Sequence, residues 1–375
     1  MNISFILNFY MFICIALLLF NVVYVLRSKK KSRRQIRAEK FWMAAIEAEC
    51  RQLERGAECS AEHAKQMQTR LTKIIELLAY QEAVQVTSAR RGQTLTQQYL
   101  DAFHHSFFVL AVEYSHRPAM ERSFYAHLIA RYHPDREHSG NRLAEVLLTY
   151  FDNSTVFCRE NVLQALYALG CSSAIEQAFS RMNQQGWHHH TRLLSDGLAN
   201  FYGDREQLAW RLWRRCEAWT NSFQVAVVQF AAGISDSFCS VFLDALQSPK
   251  VDTERKFALI RYFQHHCYPP VKQVLLDLLQ QEDSSGLAIV SASTLSRYPG
   301  EDTYQALMSA LRSRNWYVRR NAASSLVALG STYADAAVLR KQGDRYAAEM
   351  LEYMLEKNRP ALAAASAACT EGAVV

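Results

Sequence analysis

Val156-Phe157-Cys158-Arg159-Glu160-Asn161-Val162-Leu163-Gln164-Ala165-Leu166-Tyr167-Ala168-Leu169-Gly170 and, far along the chain, Trp316-Tyr317-Val318-Arg319-Arg320-Asn321-Ala322-Ala323-Ser324-Ser325-Leu326-Val327-Ala328-Leu329-Gly330 are the stretches whose likeness decides the fold. Arg, Asn, Leu, Ala, Leu and Gly stand at the same places in both. The apolar residues of each recur at helical spacing and a glycine closes the run, which predicts a helix ended by a residue with positive φ. Between Gly170 and Gly330, similar helix ends lie at nearly even intervals, at Gly203, Gly233, Gln264 and Pro299. Each is followed by a second apolar stripe: Ala174, Ile175, Ala178 and Phe179; Leu208, Leu212 and Cys216; Phe238, Val241, Phe242 and Leu246; Val271, Val274, Leu275 and Leu278; Tyr304, Leu307 and Leu311. One more unit fits upstream, Phe124 to Tyr132 and then Leu143 to Tyr150. This regular period, each unit the length of one helix pair, predicts a stack, since one pair cannot bury its apolar face but a stack buries a continuous core.

The pattern resembles the HEAT-repeat family, in particular the short bacterial HEAT-like repeats of the PBS-lyase type, over about Pro118 to Gly343. The resemblance implies an α-solenoid that acts as a protein-binding scaffold. It also implies that Arg159 and Arg319, which match an arginine recurring in such units, brace the neighbouring repeat. Some HEAT-like proteins are base-excision glycosylases or bilin lyases, so a HEAT-fold enzyme of unknown reaction is a further reading. No motif of theirs carries over to this chain.

Working towards the N-terminus, no strand alternation bounded by turns is found, and the expected fold class is all-α throughout. Ala38 to Arg55 reads as a helix, Gly56 interrupts it, and Ser60 can cap a second helix running through Leu71 and Leu78. A third is expected from about Thr94 through Tyr99, Phe103 and Phe107 to Leu110. These form a spacer or cap over 41–117. The solenoid is placed at 118–343, a terminal helix at 344–358 and a disordered Ala-rich tail at 359–375.

Ile3 to Leu26 is 24 residues without a charge, long enough as a helix to span a hydrocarbon core of about 30 Å. Its N-terminal flank lacks Lys and Arg, and no Ala-x-Ala follows it, which favours an uncleaved transmembrane anchor (1–26) over a signal peptide. Lys29, Lys30, Lys31, Arg33 and Arg34 lie in the basic segment 27–40 just beyond. By the positive-inside rule they place the N-terminus outside and the solenoid in the cytoplasm of a single-pass cell-membrane protein. They also suit anionic lipid head groups. Arg27 to Lys40 carries a net +7; removing it from the chain's +6 leaves −1, which argues against a broad nucleic-acid surface.

Three constellations suggest sites. Trp210, Arg211, Arg214 and Arg215 lie on one helix whose buried stripe is Leu208, Leu212, Cys216 and Trp219; the arginines share the opposite face and suit an acidic protein partner. Tyr132-His133-Pro134-Asp135 resembles the His-Pro-Asp turn of J-domain co-chaperones, with Tyr125, Leu128 and Tyr132 preceding it at J-domain spacing. That implies a membrane-anchored co-chaperone with His133 and Asp135 essential, although the usual first helix is absent and Arg122 and Arg131 are the preceding helix's only strong cations. The histidine runs His104-His105, His188-His189-His190 and His265-His266 lack HxxxH spacing, so their side chains diverge and they read as solvated or helix-end residues rather than metal ligands. There is no GxSxG, Walker loop, GxGxxG or HExxH, hence no catalytic residue, cofactor or metal is expected. Nine cysteines at irregular spacing contain no CxxC pair and suit a reducing compartment.

Overall fold

The computed structural model describes residues 3–132, 140–281 and 285–371, and their side chains except those of 3–9, 27, 28, 31, 140, 141, 285 and 359–371. Every regular element described is helical. In chain order these are α1 (Ile3–Glu54), α2 (Ala61–Arg70), α3 (Ile74–Arg91), α4 (Gln93–Ala102), α5 (His104–Ser115), α6 (Ala119–Tyr132), α7 (Gly140–Thr149), α8 (Val156–Leu169), α9 (Ser172–Gln184) and α10 (Thr191–Ala199). They continue with α11 (Arg205–Cys216), α12 (Asn221–Ala232), α13 (Cys239–Gln247), α14 (Thr253–His265), α15 (Lys272–Gln280), α16 (Ser285–Thr294), α17 (Glu301–Ala310), α18 (Trp316–Ala328), α19 (Tyr333–Lys341) and α20 (Arg345–Glu371). The chain divides into two compact units, Met1–Ala178 with Asn200–Gly203, and Phe179–Ala199 with Asp204–Val375.

In the first unit α1 runs unbroken for 52 residues. The sequence pattern separates an anchor from a helix beginning at Ala38. The two are one helix because no Gly or Pro occurs before Gly56 and Lys and Arg are good helix formers. Its second half buries Ala38, Trp42, Ile46 and Cys50, one residue per four, as a helical stripe requires. Trp42 is fully buried, edge-on to Tyr80 at 5.3 Å, and its Nε1 donates to Glu76 Oε2 at 3.0 Å. The first half is different: Tyr10 to Leu26 are all exposed. Among the described residues no helix is long and apolar enough to cross a membrane. Those 17 side chains correspond to about 26 Å of helix.

Two expected helices are each split. The one begun by Ser60 ends at Arg70 and resumes at Ile74; Ser60 Oγ accepts from the His63 amide at 3.3 Å, so the cap is where it was expected. The one from Thr94 to Leu110 breaks at Phe103, which adopts φ −103°, ψ 18°. No Gly or Pro marks that break, and apolar spacing continues across it.

α6 packs on α8, and α7 on α5 and α8. In the second unit the packing is regular: α10, α12, α14, α16, α18 and α20 each pack on the next of that series. Each from α12 on also packs on the helix before it. The residues shared by the two opening stretches explain part of this order. Asn161 Nδ2 donates to the Ser123 carbonyl on α6 at 3.1 Å, and Asn321 Nδ2 to the Ile289 carbonyl on α16 at 2.8 Å. Arg159 and Arg319 instead turn back to the loops that lead into their own helices, donating to the carbonyls of Ser154 (3.0 Å) and Ser313 (2.7 Å). Each arginine ties the loop that leads into its own helix, and the asparagine two residues on reaches the preceding helix. Buried tyrosines add further ties: the hydroxyls of Tyr125, Tyr150, Tyr262 and Tyr298 donate to carbonyls of Phe107, Ala111, Ser235 and Phe263. Each bond gives a buried hydroxyl its partner and ties one element to another through a backbone carbonyl.

Gly170 caps α8 with φ 72°, as expected, and Gly330 has φ 98°. Gly233 does not follow them: its φ is −88°, because α12 ends in a tightened turn whose cap amide reaches Phe230 and Ala231. At the C-terminus α20 extends through Glu371 instead of ending near residue 358. Alanine has the highest helix propensity, which accounts for helix in a segment that lacks charge periodicity.

Candidate partner-binding surfaces

α11 is capped by Asp204, whose Oδ1 accepts from the Gln207 amide at 2.9 Å. Leu208, Leu212 and Cys216 are fully buried and Trp219 nearly so, which is the stripe expected from the sequence. Burial pushes the Cys216 thiol up to about 11, so it stays protonated at neutral pH. The opposite face presents Arg211, Arg214 and Arg215, all exposed. Trp210 does not join them as an open aromatic. It is half-buried and stacked on Phe238, with ring centroids 4.3 Å apart and planes at 23°. Trp213 meets Phe242 at 4.6 Å and lies under the Arg255 guanidinium at 4.8 Å. Both tryptophans therefore bind α11 to its neighbours, and the face offered outward is the arginine row alone.

Of the basic segment, Lys29, Lys30, Arg33 and Arg34 are exposed on α1, and the side chain of Lys31 lies outside the described residues. His133, Pro134 and Asp135 also lie outside them. The helix before that turn is committed to packing: Tyr125 and Leu128 are fully buried, and Arg122 is buried, donating to the carbonyls of Asp152 and Asn153 at 2.8 and 3.1 Å. Arg131 Nη2 donates to Gln85 Oε1 at 3.2 Å. Among the described residues no group of three His, Cys, Asp or Glu is placed to hold a metal ion. His104 Nδ1 lies 2.8 Å from the Asp101 carbonyl and His266 Nε2 2.9 Å from the Ala232 carbonyl, both at helix ends.

Among the described residues, the most perturbed histidine is one that no motif indicated. His63 is buried, its Nε2 2.8 Å from the Tyr99 hydroxyl and its ring edge-on to Trp42 and Phe103. Burial lowers its pKa to about 4, so it is neutral at physiological pH.

Sequence patterns also pass over a second surface. Arg312, Arg314, Arg319 and Arg320 follow closely on one another, and no acid occurs from Thr303 to Ala334. With Ser313, Asp344 and Tyr346, the first three line an open cleft of about 410 Å³ between α17–α18 and the start of α20. Trp316, Tyr317 and Tyr346 stand exposed near it, at 46%, 57% and 78%. The charge run is visible in the sequence. There it divides between a structural arginine and a core stripe, and only folding brings Asp344 and Tyr346 to it.

Comparison with protein-family models, with curated proteins and with solved structures finds no match to this chain.

Proposed function

We propose that the protein is a single-pass, membrane-tethered α-solenoid of HEAT-like helix pairs that binds a protein partner at the cytoplasmic face of the cell membrane. The observation that carries the tether is α1. One helix holds the uncharged stretch Ile3 to Leu26, whose described side chains are all exposed, and then the stripe from Ala38 to Cys50 that is buried in the body. Seventeen exposed apolar and uncharged positions have no reason to face water. The full 24 residues reach about 36 Å, beyond the ~30 Å core. Asn21, a polar residue in that stretch, donates its Nδ2 to the Leu17 carbonyl at 3.0 Å, which limits its cost in lipid. The solenoid reading is supported by the alternate-helix packing of α10 to α20 and by the repeated asparagine ties. The exposed arginine row of α11 suits an acidic partner, and the basic residues after Leu26 suit anionic lipid.

The test is fractionation of cells expressing the full chain, with a crosslinker placed at Arg214. The protein should resist alkaline carbonate extraction, its exposed Cys267 should escape an impermeant thiol reagent in intact cells but react after lysis, and the crosslinker should capture a defined protein. Extraction by carbonate overturns the anchor; labelling without lysis overturns the topology.

A further inference from the structure

We propose that the cleft between α17–α18 and the start of α20 binds an acidic peptide segment of a partner protein. The inference rests on the reading of the protein as a partner-binding scaffold, but on neither the anchor nor the arginine row of α11.

The cleft already shows how it takes a carboxylate. Asp344 Oδ2 accepts from Arg312 Nε at 3.1 Å, while Asp344 Oδ1 accepts from the Ala347 amide at 3.1 Å. Arg312 Nη2 donates to Gln342 Oε1 at 3.1 Å, so this guanidinium is held in place. Arg319 is fixed beneath by its bonds to the Ser313 and Arg314 carbonyls at 2.7 and 3.2 Å. Arg314 is exposed at the cleft, its backbone tied to this fixed floor. A guanidinium presents a planar fork that matches a carboxylate, and fixing the surrounding loop reduces the ordering cost of binding.

Charge complementarity selects the occupant. Three arginines and one acid, Asp344, line the cleft, and Arg320 follows directly on Arg319. The next acids on α20, Glu349 and Glu352, are taken by Arg345 at 2.6 Å and Arg340 at 2.7 Å. The surplus is therefore positive and local. Around it stand Trp316, Tyr317 and Tyr346, with the Arg320 guanidinium 5.6 Å from the Trp316 ring centre. Arg, Trp and Tyr are the residue types that dominate interface energies, and exposed rings ask for an apolar side chain beside the carboxylates. A lone anion would leave the rings uncovered. An extended nucleic acid would need a longer basic track than the near-neutral remainder of the chain supplies.

The experiment is a selection with the full chain in phosphatidylcholine nanodiscs, which present no anionic lipid. A random dodecapeptide phage library is panned on it, and the enriched peptide, fluorescein-labelled, is titrated by anisotropy. Enriched sequences should combine Asp or Glu with Phe, Trp or Leu, and affinity should fall as salt rises. Arg314→Glu with Trp316→Ala should weaken binding at least tenfold, and Tyr346→Ala should weaken it severalfold; all three residues are exposed, and circular dichroism checks that the fold persists. Arg211→Glu with Arg214→Glu should change nothing here. Enrichment without acidic residues, equal affinity in the Arg314/Trp316 variant, or full displacement by oligo-dT or by inorganic phosphate overturns the proposal. If these fail while a crosslinker on α11 still captures a partner, the cleft is wrong and the scaffold reading stands.

Discussion

Gly170 and Gly330 close the two matching stretches, and nothing in their sequence context sets them apart. The structure does. At Gly170, φ is 72° and a Cβ would lie 2.1 Å from the carbonyl oxygen of Tyr202, a backbone atom that cannot swing aside. At Gly330, φ is 98° and a Cβ would meet nothing within 4 Å. Alanine at either position carries the cost of a positive φ, about 1–2 kcal/mol. Gly170→Ala must in addition push back the 200–203 segment, whose Tyr202 amide donates to the Tyr167 carbonyl at 2.9 Å. Loss of that bond and the displacement around it add about 1–3 kcal/mol. Because the chain has two compact units, a single melting temperature is a poor measure, and amide hydrogen exchange reports each site locally. The opening free energy of α8 amides should fall by about 3 kcal/mol in Gly170→Ala, and that of α18 amides by about 1–2 kcal/mol in Gly330→Ala. Equal losses in the two variants would refute the close approach of residues 170 and 202.

Other perturbations follow from burial and charge. His63 has its pKa lowered by burial to about 4. The unfolded chain therefore binds a proton near pH 6.5 that the folded chain refuses until about pH 4. Stability of the α1–α5 region should be full above pH 6.5 and fall by about 3 kcal/mol as pH drops to 4, and His63→Leu should flatten that dependence in denaturant titrations. Leu326 is fully buried in α18, so Leu326→Asp should cost on the order of 4 kcal/mol and expose α16–α20 to protease; unchanged resistance would place the stripe outside the core. Arg211→Glu with Arg214→Glu should leave helical dichroism and stability within about 0.5 kcal/mol of the parent while slowing partner capture in a salt-dependent manner. Unaltered capture would reduce that row to a solvated face.

Periodicity made much of this legible. The buried stripe Leu208, Leu212, Cys216 and Trp219, the Ser60 cap and the place of Leu326 follow from helical spacing and capping chemistry, which are local properties. What was not legible depends on partners distant in sequence. The break at Phe103 has no Gly or Pro to announce it. Gly233 looks like Gly170, yet no sequence signal separates a left-handed cap from a tightened turn. Trp210 has the composition of an exposed anchor, and only the position of Phe238, beside the start of the neighbouring helix, turns it inward. The Arg312–Arg320 run is in plain view, but its meaning depends on Asp344 and Tyr346, which follow only after two further helices have passed.

The continuity of α1 changes what a tether can do. A flexible linker would only raise the local concentration of the body near the bilayer. Here Leu26 and Ala38 are joined by unbroken helix, about 18 Å along its axis, and Lys29, Lys30, Arg33 and Arg34 are displayed on that interval. Ala38 begins the buried stripe, and four residues on, Trp42 is locked by its bond to Glu76, which itself pairs with Arg70 at 2.9 Å. Arg70 in turn covers the Phe41 ring at 3.7 Å. Any rotation or change of depth of the proposed anchor is therefore carried by a stiff rod into a packed aromatic and ionic cluster, where no loop is present to absorb it. Under the proposed function, the membrane fixes the height and orientation of α1 and of the first helices packed on it, α3 and α4.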